Sequence, residues 1–249
     1  MKQIAMFNHK GGVAKTTMVF HLAWMLAIKG KRVMVVDCDP QCNLTGAFLG
    51  EIESEEYPFE STNPQKPRNI RDAVRPAFES RPYIIEPSEI LESNKRPGLY
   101  LLPGHVGLSE YEGQLAVAHE LSNTLSAFQN IPGALHHAIR VTAERNSIDY
   151  ALIDMSPSLG AINQNLFMTS HGFLIPMAPD LFSSMALKSL ARTLPRWAEW
   201  GKKASSNTLL RSADYPFPEV TPKFLGSSVQ NFRKRSRGGE EAKPTQAFQ

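Results

Sequence analysis

The sequence predicts an α/β fold: a mainly parallel β-sheet flanked by helices on both faces. Three observations carry this. The first 36 residues read as strand, loop, helix and strand, which is one βαβ unit. The predicted strands are short and nearly continuous in apolar character, as strands covered on both faces must be. Apolar runs then alternate with helical periodicities along most of the remaining chain.

Taken in order, residues 2–7 (KQIAMF) are the opening strand, and residues 8–15 a glycine-containing loop. Val19, Leu22, Ala23 and Leu26 recur at the spacing of one helix face, and Gly30 sits where a helix C-cap belongs. Residues 32–36 (RVMVV) read as the second strand. The stretch 50–98 is different. Residues 51–60 hold five Glu and no Lys or Arg, and residues 58–103 hold eight of the chain's 18 prolines. Proline removes a backbone donor and fixes φ, so this is expected to be an irregular excursion with one short helix around 69–79. Regular structure resumes with a strand at 99–102 and a helical face from Leu108 to Phe128. Further helices are predicted at about 133–145 and 160–170, with strands at 150–153 and 173–177. A helix at 183–200 is expected to be kinked or shortened by Pro195. Residues 202–221 are expected to be loop, 223–229 the last strand, and 231–249 a tail that is basic at its start. The whole reads as one domain over 1–249, with an insertion at 50–98.

Composition removes several classes. Of 249 residues, 42% are hydrophobic and 20% charged, an ordinary globular mixture rather than a disordered one. Lys and Arg number 27 against 24 Asp and Glu, and the net charge of +3 is too small to establish a polyanion partner by itself. No run reaches the roughly 18 apolar residues of a membrane helix. The start lacks the apolar segment of a secretory signal. Cys38 and Cys42 are the only cysteines and form neither a disulfide framework nor a zinc pairing, so a reduced cytoplasmic setting is expected.

The strongest local signal is Lys10-Gly11-Gly12-Val13-Ala14-Lys15-Thr16-Thr17, lying between a predicted strand and a predicted helix. Gly11 and Gly12 let the backbone turn tightly and present N–H groups to an anion. The helix that starts near Lys15 adds unsatisfied N–H groups and the positive end of its dipole. Lys15 would reach the β- and γ-phosphates of a nucleotide, and Thr16 would place its hydroxyl on Mg²⁺. The general phosphate-loop pattern is not met: His9 and Ala14 occupy its glycine positions, and Lys10 is an added lysine.

KGGVAKTT resembles the deviant Walker A signature of the ParA/MinD class of P-loop ATPases, and Asp37-Cys38-Asp39-Pro40-Gln41-Cys42-Asn43 resembles a segment closest to ParA partition ATPases. The resemblance implies a P-loop NTPase-like fold with ATP and Mg²⁺ as cofactors. It implies that Lys10 crosses a dimer interface to the partner's nucleotide, which makes hydrolysis depend on assembly. A cation that reaches the γ-phosphate in this way offsets the charge of phosphoryl transfer. It further implies that Asp39 orients the attacking water and that Asp37 supports the metal shell. Asp154, which follows the apolar run Ala151-Leu152-Ile153, looks like the Walker B acid that holds the Mg²⁺ shell. Met155-Ser156-Pro157-Ser158 departs from the Pro-Pro usual after that acid. Asn231 stands where the family places an adenine contact.

Arg233, Lys234, Arg235 and Arg237 form a short basic cluster, a candidate contact to DNA phosphates. With Phe232 and Phe248 as its only large apolar residues, the tail builds no membrane-binding helix face. The resemblance therefore implies a slow, partner-stimulated ATPase switch that forms a homodimer with ATP. It would bind DNA without sequence preference, answer to a ParB-like activator and act in plasmid or chromosome partition. The alternative is a positioning or signalling switch that works through protein contacts without DNA.

Overall fold

The computed structural model describes residues 1–50, 61–63, 65–121, 124–230, 236–237 and 240–241. A seven-stranded sheet organises them. Its strands are β1 (Lys2–Met6), β2 (Val33–Cys38), β3 (Leu91–Glu92), β4 (Leu99–Leu102), β5 (Tyr150–Met155), β6 (Gly172–Met177) and β7 (Lys223–Val229). Their spatial order is β3-β4-β2-β5-β1-β6-β7. Every pairing is parallel except that of β3 with β4. The chain leaves β1 for β2 on one side, and leaves β5 for β6 on the other. The carboxyl end of β1 is thus a switch point, where open α/β sheets form their ligand crevice.

The pleat explains why the strand sequences look continuously apolar. In β2, all six residues are buried. Val33 and Val35 face one layer, where Val19, Ala23 and Ala27 of α1 (Lys15–Ile28) and Leu44 and Phe48 of α2 (Asn43–Leu49) cover them. Met34 and Val36 face the opposite layer. That layer is built by α3 (Ile70–Phe78), α4 (Glu112–Leu121), α5 (Ile131–Arg145), α6 (Ala161–Met168) and α7 (Leu181–Ser206). Each fully buried Val or Leu contributes roughly 1.5–3 kcal/mol relative to exposure, so the two-sided burial of the central strands dominates the fold.

The excursion at 50–98 carries the expected short helix. Asn69 caps α3 by accepting the Asp72 N–H at 2.8 Å, and Pro76 sits inside the helix. The Glu-rich stretch 51–60 lies outside the described residues. Three expectations need correction. Helix α7 runs unbroken through Pro195 to Ser206, because Leu190, Leu194, Trp197, Gly201 and Ala204 keep one buried face in register across the lost hydrogen bond. The expected loop at 202–221 therefore contains the end of α7, followed by the short α8 (Thr208–Arg211). The helical face drawn from Leu108 to Phe128 is three pieces: a 3₁₀ segment at Val106–Tyr111, α4, and a 3₁₀ turn at Ser126–Phe128. Near the end, β8 (Ser236–Arg237) pairs antiparallel with β9 (Glu240–Glu241). Among the described residues, no helix is long and apolar enough to cross a membrane.

Candidate functional site

The predicted loop leaves the carboxyl end of β1 and enters α1. Asn8, fully buried, anchors its start: its Nδ2 donates to the Pro176 carbonyl of β6 at 2.8 Å, and its Oδ1 accepts the Lys10 N–H at 3.0 Å. Gly12 has φ +71°, a region that L side chains rarely adopt. Ala14 sits at φ 60°, ψ 37°, also left-handed. The backbone therefore takes at position 14 the shape that glycine would allow freely, at a cost of roughly 1–2 kcal/mol for the added Cβ. No side chain caps α1, so its first N–H groups are left to a ligand.

Lys15 is buried, and burial pushes its ammonium below the ordinary lysine value, opposed by the carboxylates of Asp154 and Asp39. Thr16 is half-buried beside Asp154, while Val13 is buried and Thr17 exposed. Lys10 forms an ion pair with Asp180, the residue that caps α7, and its Nζ lies 3.2 Å from Ser183 Oγ. The Lys10 hydrogen bond is the main reason that Asp180 sits below the usual carboxylate range.

Three acids line the adjacent strand ends. Asp37 and Asp154 are register partners on β2 and β5, both essentially inaccessible to solvent. Burial lifts Asp37 to about 6 and Asp154 to about 7. Their surroundings differ. Asp37 Oδ2 accepts the Thr45 N–H at 2.8 Å and the Thr45 hydroxyl at 2.7 Å, and its Oδ1 accepts the Asp39 N–H at 3.2 Å. Asp37, expected in the metal shell, thus braces the loop after β2. Neither oxygen of Asp154 has a partner of good hydrogen-bond geometry, and the Thr16 hydroxyl beside it favours its charge. Asp39 Oδ1 accepts the Gln41 N–H at 3.0 Å.

A buried carboxylate without a donor costs several kcal/mol unless something neutralises it. Asp154 with Thr16 therefore fits one side of a hydrated Mg²⁺, which keeps several waters and takes its other ligands from phosphates. Among the described residues, no group of three or more His, Cys, Asp or Glu is clustered to hold a metal by itself. Asn231, Arg233, Lys234 and Arg235 lie outside the described residues, and Arg237 is described only as part of β8.

Two site-supporting residues were not legible in the sequence. Asn163 on α6 and Glu112 at the start of α4 both hold the segment that follows Asp154. Asn163 Nδ2 lies within 2.8 Å of the carbonyls of both Ser156 and Ser158. Glu112 accepts the Ala161 N–H and, at 3.3 Å, the Ile162 N–H, and so caps α6 from a distant element. The one signal was indirect: a Ser-Pro-Ser loop without the stiffness of paired prolines needs outside support.

The comparisons with known proteins agree with this geometry. The chain is 28% identical over 197 residues to the chromosome partitioning protein ParA of Caulobacter vibrioides, covering 79% of this chain and 63% of that protein. A crystal structure of protein DIP2308 from Corynebacterium diphtheriae superposes with a TM-score of 0.70 at 29% identity, over 92% of this chain and 82% of that one. Cobyrinic acid a,c-diamide synthase from Mycobacterium smegmatis, solved with an ATP analog and magnesium, shares the fold at a TM-score of 0.61 and 20% identity, over 92% and 74% of the two chains. The chain spans between 42% and 65% of the length of the first curated relatives it matches. Residues 1–205 match a family model described as an AAA domain, and on that match the chain belongs to the ParA/MinD-like P-loop family.

Proposed function

We propose that this protein is an ATP-dependent switch of the ParA type, which hydrolyses ATP slowly, dimerises in the ATP state and then binds DNA without sequence preference. The observation that carries the reading is the pairing of an uncapped α1 and buried Lys15 with an Asp154 whose two oxygens lack partners. Cationic and N–H groups on one side and an open carboxylate on the other suit a polyphosphate with its magnesium.

In this reading, the N–H groups of Gly11 to Thr17 hold phosphate oxygens, and Lys15 neutralises the β- and γ-phosphates. Thr16 and Asp154 hold the metal, which when bound withdraws charge from the phosphates. Asp39 orients the attacking water; positioning matters more than proton removal, because the transition state is loose. Asp37 keeps Asp39 in place through the Asp39 N–H. Lys10 exchanges Asp180 for the partner's nucleotide, so dimerisation completes the site. Asn231 contacts adenine, and Arg233, Lys234, Arg235 and Arg237 meet DNA phosphates. A ParB-like protein stimulates turnover, and the cargo is a plasmid or chromosome.

The test is retention on unrelated DNA with and without ATP across a salt series. Retention should require ATP and fall steeply with salt, because each neutralised phosphate releases counterion. Lys15→Ala should abolish both nucleotide binding and retention. Failure to bind DNA at low salt with ATP would leave a switch that acts through protein contacts, and unchanged ATP affinity in Lys15→Ala would end the nucleotide reading.

A further inference from the structure

The segment between Asp154 and α6 has few internal means of holding its shape. Pro157 has no N–H to donate. Gly160, at the N-cap of α6, has no side chain with which to cap the helix. Its own side chains supply only two bonds: the Ser156 and Ser158 hydroxyls hydrogen-bond to each other at 3.0 Å, and Ser158 Oγ accepts the Gly160 N–H at 3.4 Å. The loop's carbonyls are held by one side chain. Asn163 is fully buried, and its Nδ2 sits 2.8 Å from the Ser156 carbonyl, 2.8 Å from the Ser158 carbonyl, and 3.0 and 3.1 Å from the two serine hydroxyls. A primary amide has two N–H groups. They match the two carbonyls, which straddle Pro157, so one side chain fixes the backbone on both sides of the residue that cannot donate.

The position of this loop bears on the acids. Asp37 is opposite Asp154, and Cys38 opposite Met155, in the β2–β5 register. Asp39 and Ser156 are each the next residue beyond that last pair, so the loop held by Asn163 starts at the strand end beside the acid proposed to orient water. Glu112 supplements the hold by accepting the Ala161 and Ile162 N–H groups, which fixes the start of the helix that carries Asn163.

We propose that Asn163 is a positioning residue: its amide clamps the Ser156–Ser158 loop beside Asp39 and Asp154, and the clamped loop sets the rate of hydrolysis without setting nucleotide affinity. The proposal rests on the nucleotide-hydrolysing reading above, and goes beyond it by assigning the loop's control to one amide on α6. It also explains how this chain does without paired prolines after Asp154. The rigidity that prolines supply through φ is supplied here by a hydrogen-bonded side chain.

Asn163→Asp is the informative variant. It keeps the size of the side chain but presents oxygens to four oxygens. When the new carboxyl is ionised, the clamp has no donor; when it is protonated, one O–H donor returns. Three quantities are measured in the full chain: the Kd of a fluorescent ATP analogue with Mg²⁺, kcat for ATP, and hydrogen exchange at the amides of Ser156, Ser158, Leu159 and Gly160. The expected result is faster exchange in the loop, a kcat reduced by about ten- to a hundredfold, as for a small misplacement of a reacting site, and a Kd within about twofold of wild type. The kcat ratio of variant to wild type should rise as pH falls and the introduced carboxyl takes up a proton. Asn163→Ala should show the same split with no recovery at low pH.

Unaltered exchange and turnover in both variants would overturn the proposal. So would a parallel loss of kcat, affinity and melting temperature, which is the signature of a general packing defect. If the wild-type chain does not turn ATP over at all, the hydrolytic reading fails by itself, and the loop exchange still decides whether Asn163 is the clamp.

Discussion

The loops that leave β2 and β5 begin with carboxylates in matching register, yet the protein treats the two acids in opposite ways. After β2, Asp37 is surrounded by donors from its own segment: Thr45 supplies two and Asp39 one. Gly104 closes this nest, since its N–H donates to Thr45 Oγ1 at 2.9 Å and a Cβ there would fall 2.9 Å from Asp37 Cγ. After β5, Asp154 has no hydrogen bond of good geometry and only the Thr16 hydroxyl beside it, and the segment beyond it is held by Asn163 and Glu112 from other elements. One loop satisfies its acid and supports itself. The other leaves its acid open and borrows support. Burial lifts both carboxyls, so burial alone does not distinguish a brace from a ligand-holding group. The hydrogen-bond partners do.

Substitution should separate the two acids most sharply. Asp154→Asn should weaken Mg²⁺-dependent nucleotide binding by about 10- to 100-fold, the usual range for lost support of a metal, while the nucleotide-free protein melts no lower than wild type. A titration calorimetry series with and without Mg²⁺ reads the first effect, and a thermal melt the second. Asp37→Ala should do the reverse in stability. It leaves the Thr45 and Asp39 donors without their acceptor, and should lower unfolding free energy by about 2 kcal/mol in a urea titration.

The pH dependence should follow from the same contrast. Both acids have folded-state values above the unfolded carboxyl value of 3.8, so the folded protein binds more protons than the unfolded chain between about pH 4 and pH 7. Their contribution to stability is therefore greatest below pH 4 and declines as pH rises to about 7. Asp154→Asn should flatten that decline. His119 and His136, which burial holds at about 4, act in the opposite sense: their contribution is full above pH 6.5 and is lost as pH falls through 4. Mg²⁺-dependent nucleotide affinity should fall as pH drops below about 7, because Asp154 must be ionised to meet a cation. An affinity that is flat from pH 8 to pH 6 would remove Asp154 from the metal site.

The smallest expected effect concerns the borrowed support. A Cβ on Gly160 would fall 2.1 Å from Glu112 Oε1. Gly160→Ala should push Glu112 off the start of α6 and lower stability by about 1 kcal/mol, the value of a lost helix cap. It should also speed exchange at Ala161 and Ile162, and leave the Asp37 nest unchanged. Equal protection at those two amides in variant and wild type would show that α6 does not depend on Glu112.

Much of this was legible in one dimension because local rules acted locally. The βαβ start, the phosphate loop and its lysines, and the two-sided strands follow from spacing, from glycine and from apolar runs. The short α3 was legible even in the proline-rich excursion, and β7 matched its predicted bounds. What the sequence could not reveal are outcomes of competition between local cost and distant packing. Pro195 should end a helix, but a buried face on both sides of it carries α7 through. Ala14 should avoid the left-handed region, but the loop between β1 and α1 holds it there. Asp37 and Asp154 both follow buried strands, and nothing in their neighbours along the chain says which will find donors. By itself, the sequence determined the sheet, the loop and the presence of acids at the strand ends. Which acid is a brace, which is open, and which amide on α6 holds the loop between them was decided only when the chain folded, because Glu112's hydrogen-bond partners, 49 and 50 residues along the chain, and the register that sets β2 beside β5 come from tertiary packing rather than from spacing.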